Sequence, residues 1–183
     1  MCGRYELKNN EELKKIMSSI KDMTFVYEDS KEIFPGDKVP IICLDKELKR
    51  STFIMKWGYT INDKLIFNSR SEEINKKKSF KDDYQRHRCI VPATSYFEWD
   101  KNKVKYQMSL SNGLLYMAGI YRIENGIPVF SILTREPSES LSKIHHRMPV
   151  ILSKDLIDEW INYNNDPGLL LLQATTELNI KNQ

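Results

Sequence analysis

The sequence predicts an α+β fold: a single domain built on a strongly curved or barrel-like mixed β-sheet, with helices at its periphery. Three observations lead there. Apolar runs of strand length recur from about residue 39 to residue 152. Turn signals punctuate them, Asn112-Gly113 and Asn125-Gly126 being the clearest. Helical periodicity is confined to a few short stretches. With 183 residues, 40% of them hydrophobic, the chain can bury one substantial core.

The elements follow in order. Asn9 or Asn10 caps a helix whose apolar face is Leu13, Ile16, Met17 and Ile20. Val39 to Leu44 and Thr52 to Tyr59 flank a charged turn, as in a hairpin. Leu65 to Phe67 is a short strand ending at Asn68, and a helix runs from Ser79 to about His87. Cys89 to Trp99 and Val104 to Ser109 are strands around the Asp100 to Lys103 turn. Leu114 to Ile123 continues as a strand, and Asn125-Gly126 turns the chain into Pro128 to Thr134. Pro137 to Ile144 is a short helix, followed by an extended Met148 to Leu152. Ser153 caps an amphipathic helix with Leu156, Ile157, Trp160 and Ile161, which Asp166-Pro167-Gly168 ends. After about residue 165 a short C-terminal tail is expected.

Composition narrows the classes. With 28 basic and 25 acidic residues the net charge is +3, which does not by itself select a nucleic-acid partner. No apolar signal core follows Met1-Cys2-Gly3-Arg4-Tyr5-Glu6, and no stretch reaches the roughly 18 apolar residues of a membrane span. A cytoplasmic protein without a membrane partner is expected. Cys2, Cys43 and Cys89 are scattered without a C-x-x-C pair, so neither a zinc site nor a disulfide framework is indicated. Adjacent His145 and His146 would point apart in a strand. No metal and no cofactor are expected.

Cys2 carries the first chemistry. Initiator methionine is removed when the next side chain is small, and cysteine qualifies. The product holds an α-amine and a thiol on one residue. Their ordinary pKa values, about 7.7–8.0 and about 8.5, leave a reactive fraction of each near neutrality. An aldehyde meeting this pair can form a Schiff base with the amine, which the thiol closes into a thiazolidine. An isolated Met-Cys start is usually only a tolerated cysteine.

The company of Cys2 changes that reading. Met1-Cys2-Gly3-Arg4-Tyr5 is followed by Trp57-Gly58, Asn68-Ser69-Arg70-Ser71-Glu72 and Arg88-Cys89-Ile90-Val91-Pro92-Ala93. Then come Tyr96-Phe97-Glu98-Trp99, Met117-Ala118-Gly119-Ile120-Tyr121, Phe130-Ser131-Ile132-Leu133-Thr134 and Ile144-His145-His146-Arg147-Met148-Pro149-Val150. This ordered set resembles the abasic-site processing proteins, also described as SOS response-associated peptidases (SRAP), from residue 1 to about residue 160. The resemblance implies the SRAP fold and a DNA-damage response protein. It would capture abasic sites in single-stranded DNA through a covalent thiazolidine with Cys2, with lyase activity and self-directed removal of Met1 alongside.

The resemblance also implies roles. Cys2 would be the nucleophile, Asn68 would orient the adduct, Glu98 would help open the sugar and move protons, and His145 would serve ring opening and reversal. Arg70, Arg147 and Thr134 would contact phosphates; Lys78 stands in the region where the family keeps a phosphate-binding arginine, and Arg4 and Trp57 are further candidate DNA contacts. Proton transfers by a carboxylate and an imidazole, and arginine forks on phosphates, fit that chemistry. Singly, each residue has a plainer reading: Glu98 as an outward-facing strand position, His145 as structural, the arginines as surface or ion-pair residues, Asn68 as a turn former. Lys76, Lys77, Lys78 and Lys81 could be a solvated face or line a DNA channel, and Trp57, Tyr59 and Phe97 could stack on bases or sit in the core. Two departures stand out: Tyr59-Thr60-Ile61-Asn62 replaces a longer extension after Trp-Gly, and the C-terminus is short.

The leading expectation is therefore a monomer acting on abasic single-stranded DNA, nucleoid-associated when bound, with replication-fork proteins as candidate partners. The alternatives are an N-terminal-nucleophile thiol peptidase, which would not need Arg70 and Arg147, and a noncatalytic single-stranded DNA-binding module, which would be indifferent to Cys2→Ala.

Overall fold

The computed structural model describes residues 2–20, 30–175 and 177–183; Met1, whose removal the sequence predicts, and Thr176 lie outside the described residues. The chain opens with β1 (Tyr5–Lys8) and α1 (Glu11–Ser18). Asn10 caps α1 by accepting the Leu13 N–H, which satisfies one of the helix's free donors. β2 (Ser30–Ile33) precedes the hairpin of β3 (Lys38–Leu44) and β4 (Arg50–Trp57). β4 stops at Trp57 because Gly58 takes φ +118, where a Cβ would stand 2.5 Å from Leu65. A small hairpin follows, β5 (Tyr59–Ile61) and β6 (Lys64–Ile66), turned by Asn62 and Asp63 at positive φ.

β7 (Asn68–Arg70) comes next, then α2 (Lys78–Arg86), β8 (Arg88–Ala93), β9 (Ser95–Trp99), β10 (Lys105–Ser109), β11 (Leu115–Glu124) and β12 (Ile127–Arg135). Asn68 thus opens a strand, where the sequence places the end of one. The stretch expected as one strand from Cys89 to Trp99 divides at Thr94. That residue turns to β1, donating its N–H to Glu6 O at 2.8 Å and its hydroxyl to the same oxygen at 2.9 Å. Its two halves therefore belong to different sheets.

The C-terminal part holds α3 (Glu139–Ser142), β13 (Met148–Pro149), β14 (Ile151–Leu152), a 3₁₀ turn at Lys154–Leu156, α4 (Ile157–Ile161), α5 (Pro167–Leu171) and β15 (Asn179–Asn182). Two expectations are corrected here. Ser153 makes no side-chain cap. Asp166-Pro167-Gly168 begins a helix, with Asp166 accepting the Gly168 N–H at 2.7 Å and proline in the first turn. The tail also ends in structure, because β15 pairs antiparallel with β10 from Tyr106↔Asn182 to Ser109↔Asn179.

Two sheets result. In the larger, β12, β4, β3, β8 and β11 follow one another and a β11–β12 pairing closes the ring, making a five-stranded barrel. Its β12–β4 contact is parallel, as is the β12–β7 contact, so the sheet is mixed. The second sheet runs β15-β10-β9-β1-β2. Their cores merge: Tyr5, Tyr96 and Met108 of the second sheet belong to one buried cluster with Trp57, Phe130 and Ile132 of the barrel. Outside, α4 seals β8, with Trp160 Nε1 donating to Cys89 O at 2.9 Å. Among the described residues no helix is long and apolar enough to cross a membrane.

Candidate active site

The site lies where the N-terminal run enters between the barrel and the second sheet. Tyr5 pairs with Tyr96, and Phe97 donates its N–H to Arg4 O at 2.9 Å. Continuing that antiparallel register brings Gly3 level with Glu98 and sets Cys2 beside it. Cys2 is 0% exposed. β7 reaches the same place because it lies parallel to β12, with Ile132↔Asn68 in register. A buried Ser69–Ser131 hydroxyl bond of 2.9 Å and a 2.8 Å bond from Trp57 Nε1 to Phe67 O hold it there. Asn68 Nδ2 then donates to Cys2 O at 2.8 Å. The segment after α3 supplies His145, whose Nε2 stands 3.9 Å from Glu98 Oε2. The four residues Cys2, Asn68, Glu98 and His145, named from the sequence, thus come together from four separate segments.

Burial governs their electrostatics. It pushes the Glu98 carboxyl up to about 7, into the range where a group can both give and take a proton near neutrality. Burial also pushes the Cys2 thiol well above its usual range, and a charged Glu98 pushes it further. His145 is lowered, again chiefly by burial, so it is neutral at pH 7. Its Nδ1 lies 3.1 Å from the Arg147 N–H and 3.2 Å from Arg147 O. The amide can donate to Nδ1 and the carbonyl can accept from it, so the Arg147 backbone seats the ring in either tautomer with Nε2 facing Glu98. The imidazole of His146 lies beside that of His145, ring centroids 4.3 Å apart. The two rings do not point apart as a strand would require, because the chain turns at residues 143–144 and bends at His146.

The residues expected to touch DNA sort differently. Arg70 and Lys78 are exposed, on β7 and at the start of α2. Lys77, next to Lys78, is paired with Glu73. Arg4 is engaged within the protein, 3.2 Å from Glu32 and held between the rings of Phe34 and Trp99. Arg147 is buried and Thr134 lies beneath it. Arg147 Nη2 donates to Thr134 O at 2.7 Å, and both terminal nitrogens bind Glu72. Trp57 is corrected outright. It is 0% exposed, packs against Tyr5, Phe67 and Phe130, and has spent its indole N–H on Phe67 O, so no base can stack on it. Tyr59 and Phe97 are buried as well.

Sequence reasoning passed over three site neighbours. Tyr5 and Tyr96 face each other across β1 and β9, and their buried hydroxyls have no hydrogen-bond partner among the described residues. Burial raises both phenols, and charge on Cys2 raises them further, so both remain protonated donors beside the thiol. Glu72 ends the Asn68–Glu72 motif, and that position was the available signal for it.

The chain also matches a known family. Residues 1–181 match the family described as SOS response associated peptidase (SRAP). The chain is 32% identical over 192 residues to the abasic site processing protein YoqW of Bacillus subtilis, covering 93% of this chain and 84% of that one. It is 28% identical to the abasic site processing protein YedK of Escherichia coli, covering 88% and 79%. Among solved structures, a protein from Bordetella bronchiseptica superposes with a TM-score of 0.80 at 20% identity, covering 100% and 99% of the two chains. A protein from Bacteroides thetaiotaomicron gives 0.75 at 21%, covering 99% and 91%. With the family model matching residues 1–181, nearly the whole chain, this protein belongs to the SRAP family.

Proposed function

We propose that this chain processes abasic sites in DNA by capturing them covalently in single strands through Cys2, once Met1 has been removed. The observation that carries the reading is the convergence of Cys2, Asn68, Glu98 and His145, with Asn68 on the Cys2 carbonyl and His145 facing Glu98. The names of the relatives support the substrate class.

The chemistry balances without an oxidant. A ring-opened abasic sugar presents an aldehyde. The Cys2 α-amine adds to it, and loss of one water leaves an imine. The thiol adds across the C=N bond, its proton ending on nitrogen, and a thiazolidine closes. Glu98, titrating at about 7, can protonate the departing hydroxyl, recover a proton from the iminium nitrogen as the imine forms, and then relay the thiol proton to that nitrogen as the ring closes. His145 can move a proton at Nε2 as the sugar ring opens, and the same groups can run the reaction backwards. The Asn68 amide fixes the Cys2 backbone so that amine and thiol meet one carbon. A lyase outcome fits the imine stage. Arg70 and Lys78 supply exposed charge for strand phosphates. The protein would act as a cytoplasmic monomer on single-stranded DNA, with replication-fork proteins as candidate partners.

Peptidase action on other chains is the second reading. A raised thiol opposes it, because a thiolate is the form that attacks an amide. The test uses Met1-free protein, verified by intact mass, and a single-stranded oligonucleotide with one abasic site. A band that survives denaturation is expected only with the lesion and with Cys2 present. If none forms despite a free N-terminal cysteine and a confirmed aldehyde, the capture reading fails.

A further inference from the structure

Glu72 is 45% exposed at its side chain, yet its carboxylate is fully committed. Oε1 accepts from Arg147 Nη1 at 2.9 Å and from the Glu136 N–H at 3.2 Å. Oε2 accepts from Arg147 Nη2 at 2.8 Å. This is a two-pronged, charge-assisted pair, the geometry in which an arginine is held most rigidly. The same Nη2 also donates to Thr134 O at 2.7 Å, so the guanidinium is pinned between the end of β7 and the end of β12. The backbone of Arg147 is what His145 Nδ1 rests on, at 3.1 Å to its N–H and 3.2 Å to its carbonyl. On the far side of that ring, Nε2 faces Glu98 at 3.9 Å. A continuous chain of contacts therefore runs from Glu72 through Arg147 to His145 and ends at the Glu98 carboxylate.

We infer that Glu72 is a positioning residue of the site: acting through Arg147, it sets the depth and tilt of the His145 imidazole against Glu98. This rests on the function proposed above and deepens it. The physical basis is the cost of an uncompensated charge. Arg147 is buried at 8% exposure. With glutamine at position 72 its guanidinium loses its counter-charge, and a buried cation in that state turns toward water. The backbone of residues 145–147 must follow, and His145 with it. The alternative role for Glu72 is simple repulsion: a carboxylate near a DNA-binding face that keeps phosphates off. The two roles separate in measurement, because repulsion acts on any DNA and positioning acts only on the chemistry.

Wild type, Glu72→Gln and Glu72→Asp are prepared as Met1-free protein and compared in three ways. The rate of denaturation-resistant capture of an abasic oligonucleotide is expected to fall about tenfold or more in Glu72→Gln, with partial rescue in Glu72→Asp, which keeps the charge. Affinity for the intact oligonucleotide is expected to stay within about twofold; a clear tightening with an unchanged capture rate would assign Glu72 to repulsion and overturn the inference. The ring of His145, identified by its loss in His145→Ala, is titrated by NMR without DNA. The charged and titratable groups acting on it include Glu98, His146 and the N-terminal amine. Its midpoint is expected to rise toward the ordinary histidine value in Glu72→Gln, as the ring leaves its buried seat. An unmoved midpoint overturns the inference even if capture slows. Should wild type itself capture nothing, the function reading fails while the titration still decides the positioning role. Should Glu72→Gln fail to fold, Glu72→Asp is compared with wild type: a smaller fall in capture rate and a smaller rise of the His145 midpoint at unchanged affinity for intact DNA supports the inference, and no change in either overturns it.

Discussion

Consider Glu98→Gln in the chain that retains Met1. Glu98 is 5% exposed, and burial lifts its carboxyl from 4.5 to about 7. Between those values the folded protein keeps a proton that the unfolded chain releases. The folded state then binds more protons, so stability falls as pH rises through that window. At about 1.4 kcal/mol for each pH unit, the loss is about 3 kcal/mol above pH 7. Glutamine has nearly the same shape and carries no charge at any pH, so the variant escapes the loss. Wild type and variant should therefore be nearly equal in stability at pH 4.5. At pH 8 the variant should be more stable by about 3 kcal/mol, which for a chain of this size is a rise in Tm of about 6–12 °C. His145, with its lowered value, shifts stability in the opposite sense, but it is present in both proteins and largely cancels in the difference. The assay is thermal unfolding of both proteins in matched buffers from pH 4.5 to 8. A Tm difference that stays constant across the range, or a variant less stable at pH 8, would refute the account of Glu98 as a buried carboxyl held for proton transfer at a cost in stability.

Three further outcomes are expected. Cys2→Ala keeps the α-amine once Met1 is removed, so it should form no denaturation-resistant band on its own yet yield one when borohydride reduces the imine; absence of the trapped band would move the first bond from the amine to the thiol. Arg70→Ala and Lys78→Ala should each flatten the dependence of log affinity on log salt by about 0.7 for single-stranded DNA, read from binding titrations at several salt concentrations. Trp57→Ala should cost about 3–5 kcal/mol of stability in urea unfolding, as expected for a fully buried aromatic. Trp57→Phe, by contrast, should leave DNA affinity of the folded protein unchanged; a selective loss of binding would return Trp57 to the DNA interface.

Local signals were legible wherever the physics is local. The Asn10 cap, the amphipathic α2 and the Asn125-Gly126 turn each depend on residues a few positions apart, and each formed where expected. Asp166-Pro167-Gly168 shows the limit of such signals. The same three residues serve as a stop or as a cap followed by a first turn, and only the chain packed behind them selects one. Thr94 looked like the middle of a strand because its hydrogen-bond partner, Glu6 O, lies 88 positions away.

The candidate site divides along the same line. By itself, the order of motifs determined which residues belong to it: Cys2 with its neighbouring α-amine, Asn68, Glu98 and His145, and the family they mark. Only the tertiary structure decided what those residues are. Closure of the barrel buries Trp57, so a conspicuous aromatic is core. The second sheet packed against the barrel buries Glu98 and Cys2, so one titrates near 7 and the other is held as a thiol. The pairing of Glu72 with Arg147 across 75 positions fixes the His145 ring and engages an arginine that reads, in sequence, as a phosphate fork. Side-chain identity is written in the chain, but solvation and charge pairing depend on which distant groups the fold brings within about 3 Å.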